Sequence, residues 1–106
     1  MAQWQTIASG ATSLDSLSDA ITDYGTNNIF LGQNVGATRT SGVSNTAVGA
    51  LSMSALTSGN DNTAFGNQAL QALTTGNNNT AVGREALLVL ESGVNNTSIG
   101  HTSLFR

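Results

Sequence analysis

The chain has 106 residues with only 8% charged and 5% aromatic, against about 25% charged in an ordinary globular domain, and its formal net charge is −3. That balance excludes the strongly charged, apolar-poor composition of a disordered chain, and the only basic residues, Arg39, Arg84 and Arg106, are too scattered to form a nucleic-acid footprint. No apolar run reaches membrane-spanning length, so no membrane insertion is expected, and the absence of cysteine rules out a disulfide framework or a thiolate metal site.

Residues 1–27 differ in character from the rest. Met1-Ala-Gln-Trp lacks the charged start and apolar core of a secretory signal. Trp4, together with Ile7, reads as a docking or core aromatic. Thr12-Ser-Leu-Asp15 fits a capping box, after which Leu14, Leu17 and Ile21 fall on one helical face and Asp15, Asp19 and Asp23 on the other. The acidic side is best read as the solvated face of a short helix or turn. The segment as a whole reads as an N-terminal anchor or cap, with Trp4, Leu14, Leu17 and Ile21 as its candidate anchoring residues.

From Asn28 onward the chain repeats with a period of seventeen residues. Asparagine stands at positions 28, 45, 62, 79 and 96, and glycine at 32, 49, 66, 83 and 100, without insertion or deletion. The units are 28–44, 45–61, 62–78, 79–95 and an incomplete 96–106. A fixed period in this range marks a stacked, quasi-one-dimensional architecture.

Numbering the positions of a unit from its asparagine, slot two is Thr in four units (Thr46, Thr63, Thr80, Thr97). Slot four is always a large apolar residue: Leu31, Val48, Phe65, Val82, Ile99. Two-residue alternation puts slots two and four on one face of a short strand. Slot three (Phe30, Ala47, Ala64, Ala81, Ser98) faces the other way and is small after the first unit, which predicts close packing there too. Glycine at slot five suits a sharp corner with positive φ. The pairs Met53/Leu56, Leu70/Leu73 and Leu87/Leu90 then have i, i+3 spacing, which predicts one or two helical turns. A second glycine at slot fifteen (Gly42, Gly59, Gly76, Gly93) reads as their C-terminal stop. The first unit lacks the leucine pair and carries Gly36 and Arg39, as an entry unit would. The expected fold is therefore a β-rich, solenoid-like fibre whose units each hold a short strand and a short helical turn.

One such column offers only four or five inward apolar side chains per unit, which is thin for an independent core. Both faces of the strand read as buried, so partner chains are expected to cover one of them. The prediction is a symmetric, parallel homo-oligomer with its axis along the rod, a homotrimer, although the period alone does not set the number three. The slot-one asparagines, Asn28, Asn45, Asn62, Asn79 and Asn96, are expected to stack in register and bond as a ladder of amides. With the slot-five glycines Gly32, Gly49, Gly66, Gly83 and Gly100 they form the structural signature of the repeat.

Chemistry-bearing constellations were sought and not found, so no enzyme activity, metal or cofactor is expected. His101 is the only histidine, in a slot otherwise filled by Gln33, Ala50, Asn67 and Arg84. Glu85 and Glu91 have no counterparts in other units. Gly59-Asn-Asp61-Asn62 echoes calcium-binding repeats, but Ser44, Asn78 and Asn95 replace Asp61 elsewhere, leaving little charge for the ion. The glycines follow repeat spacing rather than phosphate-loop spacing. The sequons Asn78-Asn79-Thr80 and Asn95-Asn96-Thr97 arise from the repeat itself.

The units Asn45-Thr-Ala-Val-Gly49…Ala-Leu-Thr-Ser-Gly59, Asn62-Thr-Ala-Phe-Gly66…Ala-Leu-Thr-Thr-Gly76 and Asn79-Thr-Ala-Val-Gly83…Ala-Leu resemble repeats of bacteriophage tail-fibre and related trimeric fibre proteins. Such repeats often precede a self-cleaving, endosialidase-type chaperone domain. The opening pentapeptide is also similar to the shorter head repeats of trimeric autotransporter adhesins. The resemblance covers residues 28–104. It implies a homotrimeric shaft on a virion or phage-like injection machine. The N-terminus would dock to a baseplate, tail or adaptor protein, and a host surface receptor would be bound by a distal part. The break in the fifth unit at Arg106 fits a longer protein. Two alternatives stand beside this: a segment of a bacterial trimeric surface adhesin, and an ice-binding repeat protein, which requires a flat exposed threonine face.

Overall fold

The computed structural model describes residues 20–23, 26–38 and 41–104, and within them the chain is a parallel β-solenoid. Six short strands form one sheet in chain order: β1 (Ala20–Asp23), β2 (Asn28–Leu31), β3 (Thr46–Val48), β4 (Thr63–Phe65), β5 (Thr80–Val82) and β6 (Thr97–Ile99). From β2 to β6 every pair is parallel, and each residue faces the one seventeen positions on, as in Ala47↔Ala64↔Ala81↔Ser98. One repeat is thus one rung, and β2 to β6 span four turns.

β1 runs the other way, pairing Ile21 with Phe30 and Asp23 with Asn28, and so covers the outer edge of β2. Ile21 and Asp23 therefore lie on a strand rather than on the helix or turn expected from the Leu14/Leu17/Ile21 spacing. The exposed edge of the first rung offers a row of backbone partners, and pairing with it outweighs a weak helical pattern. Trp4, Leu14 and Leu17 lie outside the described residues.

The helical turn expected after slot five does not form; among the described residues there is no helix. Instead, backbone φ is positive at slots seven and nine of successive rungs: Leu51 and Met53, Gln68 and Leu70, Glu85 and Leu87. Each such residue costs about 1–2 kcal/mol relative to the right-handed region. Hydrogen bonding offsets that strain. A helix would satisfy these amides internally, whereas here they reach the neighbouring rungs. Leu51 N–H donates back to Gln33 C=O (2.9 Å), while Met53 and Ala55 donate forward to Ala69 and Gln71 (3.1 and 3.2 Å). Isolated i→i+3 turns, such as Leu56 N–H to Met53 C=O (3.1 Å), bring Met53 and Leu56 to the same side. The i, i+3 spacing therefore reports a common buried face without a helix. The slot-fifteen glycines likewise close no helix; their carbonyls accept bonds from the asparagine side chains described below.

The slot-five glycines make the corner after each strand, with φ between +127° and +140° at Gly32, Gly49, Gly66, Gly83 and Gly100. They also permit close stacking, since a Cβ on Gly66 would sit 2.6 Å from the carbonyl oxygen of Gly83.

The core is a column running through the rungs. Slots one and three point inward, so Ala47, Ala64 and Ala81 are fully buried beside Met53, Leu70 and Leu87 of slot nine and Leu56 and Leu73 of slot twelve. Slots two and four point outward. Only one strand face is buried by the chain itself. The first rung reaches the same volume by exchange. Phe30 occupies slot three, where the following rungs have alanine, and Gly36 occupies slot nine, where they have Met or Leu. A Cβ on Gly36 would meet the Phe30 ring at 3.0 Å, so the ring fills the space that slot nine fills elsewhere.

This exchange is testable by a double-mutant cycle in urea. Phe30→Ala alone is expected to cost about 3–5 kcal/mol, and Gly36→Leu alone to destabilise by overpacking against the ring. The double variant restores the alanine–leucine arrangement of the later rungs, so it should recover at least about 1 kcal/mol relative to the sum of the single losses. Strict additivity would refute the exchange.

Candidate functional site

Two features run the length of the solenoid: a buried ladder of asparagines at the entry to each strand, and an exposed strand face beside it.

The ladder begins with backbone geometry. The residue before each slot-one asparagine has positive φ (Asn27, Ser44, Asp61, Asn78, Asn95), which turns the chain sharply and aims the asparagine side chain inward. Asn28, Asn45, Asn62 and Asn79 are fully buried, and Asn96 is half-buried. The side-chain oxygens of Asn28, Asn45, Asn62 and Asn79 each accept twice from the next rung. Asn62 Oδ1 takes bonds from the backbone N–H and from the Nδ2 of Asn79, both at 3.0 Å. The same pairing joins Asn45 to Asn28, Asn62 to Asn45 and Asn96 to Asn79, at 2.8–3.2 Å. The second proton of each Nδ2 goes to the slot-fifteen carbonyl fourteen residues on: Gly42, Gly59, Gly76 or Gly93, at 2.7–2.9 Å.

The position therefore needs a side chain with one strong acceptor and two donors on a short stem, which is asparagine. Aspartate would keep the acceptor, lose both donors and bury a charge. Among the described buried side chains no polar atom lacks a hydrogen-bond partner.

A second, shorter ladder lies at slot sixteen, where Val43 N–H donates to Asn60 Oδ1 (2.9 Å) and Asn60 N–H to Asn77 Oδ1 (2.8 Å). Sequence reading missed it because valine occupies that slot in the flanking units, Val43 and Val94. The consecutive asparagines of slot sixteen were its only signal.

The strand face carries slots two and four. Threonines 46, 63, 80 and 97 form one column, headed by Ile29. Leu31, Val48, Phe65, Val82 and Ile99 form the other. Phe65 is 51% exposed, Ile29 48% and Ile99 70%. None of these ten residues is ionisable. The ionisable side chains of the rungs sit elsewhere: Arg84 with Glu85 (3.2 Å), Glu91, Asp61 at the corner before β4, and the exposed His101. An exposed pair of this kind contributes little to stability.

Among the described residues no group of three or more His, Cys, Asp or Glu side chains could hold a metal ion. No described helix is long and apolar enough to cross a membrane. Comparison of the chain with protein-family models, curated proteins and solved structures finds no match.

Removing one interior rung of the ladder strands its neighbours. Asn62→Ala removes the partner of the Gly76 carbonyl, the acceptor of the buried Asn79 N–H and Nδ2, and one of the two bonds to Asn45 Oδ1, and should cost about 3 kcal/mol. In a domain of this size that lowers Tm by roughly 12 °C or more. Asn96→Ala, at a half-buried position, should cost less than half as much. Thermal melts of the two variants check the ranking, and an unshifted Asn62→Ala would rule the ladder out as a source of stability.

Proposed function

We propose that this chain is the structural shaft and particle-attachment segment of a tail fibre of a phage or phage-like particle, supporting adhesion to a host cell as a parallel homotrimer. The observation that carries the reading is the pairing of an uninterrupted 17-residue solenoid with a charge-free, apolar-rich strand face along its side. A column of identical rungs resists bending and transmits position over a distance, and a continuous apolar face gives such columns a means of bundling. The phage assignment is supported by the resemblance of the Asn-Thr-Ala-apolar-Gly units to tail-fibre repeats.

In this reading the virion is the site of action. Residues 1–27 dock to a baseplate, tail or adaptor protein, and a distal part meets the host receptor. The described segment itself works without catalysis, metal or cofactor. A bacterial trimeric surface adhesin would use the same shaft for the same mechanical purpose.

Light scattering on the purified chain tests the shared element of both. The expected mass is about 32 kDa, three times the 10.8 kDa of the chain; a monodisperse 10.8 kDa species would overturn the trimeric shaft.

One observation favours a second reading, an ice-binding repeat. The threonines of slot two stand on the outer face in regular register, with their spacing set by the strand separation of about 4.8 Å. Against it, the adjoining column mixes Leu, Val, Phe and Ile, which roughens the plane an ice lattice would have to match. On the fibre reading, thermal hysteresis at millimolar protein should be indistinguishable from that of a non-binding control, and a concentration-dependent gap between melting and freezing points would establish the second reading instead.

A further inference from the structure

We infer that β1 is an edge guard: it occupies the site at which the first rung would otherwise pair with the first rung of a second copy of this chain. The inference concerns the β2 end of the solenoid and does not depend on how columns meet side by side.

The backbone shows which groups β1 answers. Ile29 N–H donates to Asn45 C=O and Leu31 C=O accepts from Gly49 N–H, so the backbone groups of these two residues face β3. Alternation along the strand then turns the N–H and C=O of Asn28 and Phe30 to the outer edge. β1 meets them there, with Asp23 opposite Asn28 and Ile21 opposite Phe30. Uncovered, they would form the kind of edge at which strands of separate chains join.

β1 covers the strand without replacing a rung. In the later rungs the slot-five and slot-seven amides donate to the rung before, as Gly49 does to Leu31 and Leu51 to Gln33 (2.9 Å each). The N–H groups of Gly32 and Asn34 hold the same slots in the first rung and make no hydrogen bond among the described residues. The corner before β2 is anchored separately. Thr26 Oγ1 accepts from Asn28 Nδ2 (2.8 Å), in the place that the asparagine oxygen of a preceding rung fills elsewhere, and Thr26 C=O accepts from Ser44 N–H (2.7 Å). With Gly42 C=O as its other acceptor, the first ladder amide is satisfied without β1. The guard can therefore leave the edge while the ladder stays closed.

The occupant it excludes follows from direction. β1 runs antiparallel to β2, and so does the β2 of a copy related by a two-fold axis. Centred on Phe30, that pairing lets the two Phe30 residues exchange both backbone bonds. It also brings the unanswered Gly32 N–H of each copy to Asn28 of the other. A second β2 thus uses the outward groups that β1 uses and one that β1 leaves over.

In the full chain, Ile21→Pro with Asp23→Pro removes the two β1 amides that face β2. By light scattering at millimolar concentration its mass should be twice that of wild type, with the circular dichroism spectrum retained. Tagged variant should capture untagged variant but not wild type, whose edge is covered. A mass equal to that of wild type, growth beyond twofold, or capture of wild type as readily as of variant would overturn the guard. Loss of the spectrum both here and in the single Ile21→Pro would overturn it too, since β1 would then be needed for folding itself. Each mass is read against wild type, whose own mass tests the trimeric shaft separately.

Discussion

Everything in this fold depends on one bond being repeatable: the slot-one asparagine oxygen must accept from the rung that follows. It takes two bonds there, one from a backbone amide and one from a side-chain amide, so rung-to-rung distance and rung-to-rung register are set together. A one-residue insertion anywhere in a unit would move the next asparagine off its acceptor. It would also exchange the inward and outward faces of the strand, because side chains alternate. That coupling explains why the period is free of insertions through four complete units. The other devices follow from the same requirement. Positive φ before each asparagine aims the amide inward, glycine at slot five lets carbonyls stack closely, and positive φ at slots seven and nine turns backbone amides toward neighbouring rungs rather than along a helix. Amides aligned in such a column also polarise one another, so a satisfied ladder is stronger than its separate bonds.

Much of this was legible from the residues alone, and for identifiable reasons. An exact period, alternation around Thr-Ala-Val and glycine at fixed offsets all follow from a rung that must be superimposable on the next. The helix expectation failed because i, i+3 spacing reports only that two side chains share a side. Met53 and Leu56 share one, but through a turn with positive φ at Met53, which no propensity scale anticipates for Met. The strand faces were legible in part. Small size at slot three was correctly a sign of close packing, whereas bulk at slot four was not a sign of burial within the chain. The exchange of Phe30 for alanine and Gly36 for leucine was visible as two departures from consensus but not as one event, because nothing in the period says that slots three and nine touch.

The composition makes sense on the same terms. A chain with so few charges forgoes surface ion pairs, which would contribute little in any case, and bonds its rungs through Asn, Thr and Ser. Thr57 Oγ1 and Thr74 Oγ1 each donate to the backbone of the next rung, and buried Ser52 Oγ donates to Ala69. These bonds run along the solenoid axis, as the ladder does. Cohesion is therefore axial and nearest-neighbour, while the sideways strand face is left apolar.

Nearest-neighbour cohesion also shows in how burial varies along the described rungs. At the β2 end, β1 covers the outer edge of the first rung and Asn28 is fully buried. At the β6 end no described rung follows Thr97–Ile99, Asn96 is only half-buried, and Ile99 is the most exposed of the slot-four residues. An interior asparagine such as Asn62 bonds a rung on each side, whereas Asn96 bonds through its amide only to Asn79. The burial of each ladder asparagine thus follows the number of strands beside it, as nearest-neighbour cohesion requires.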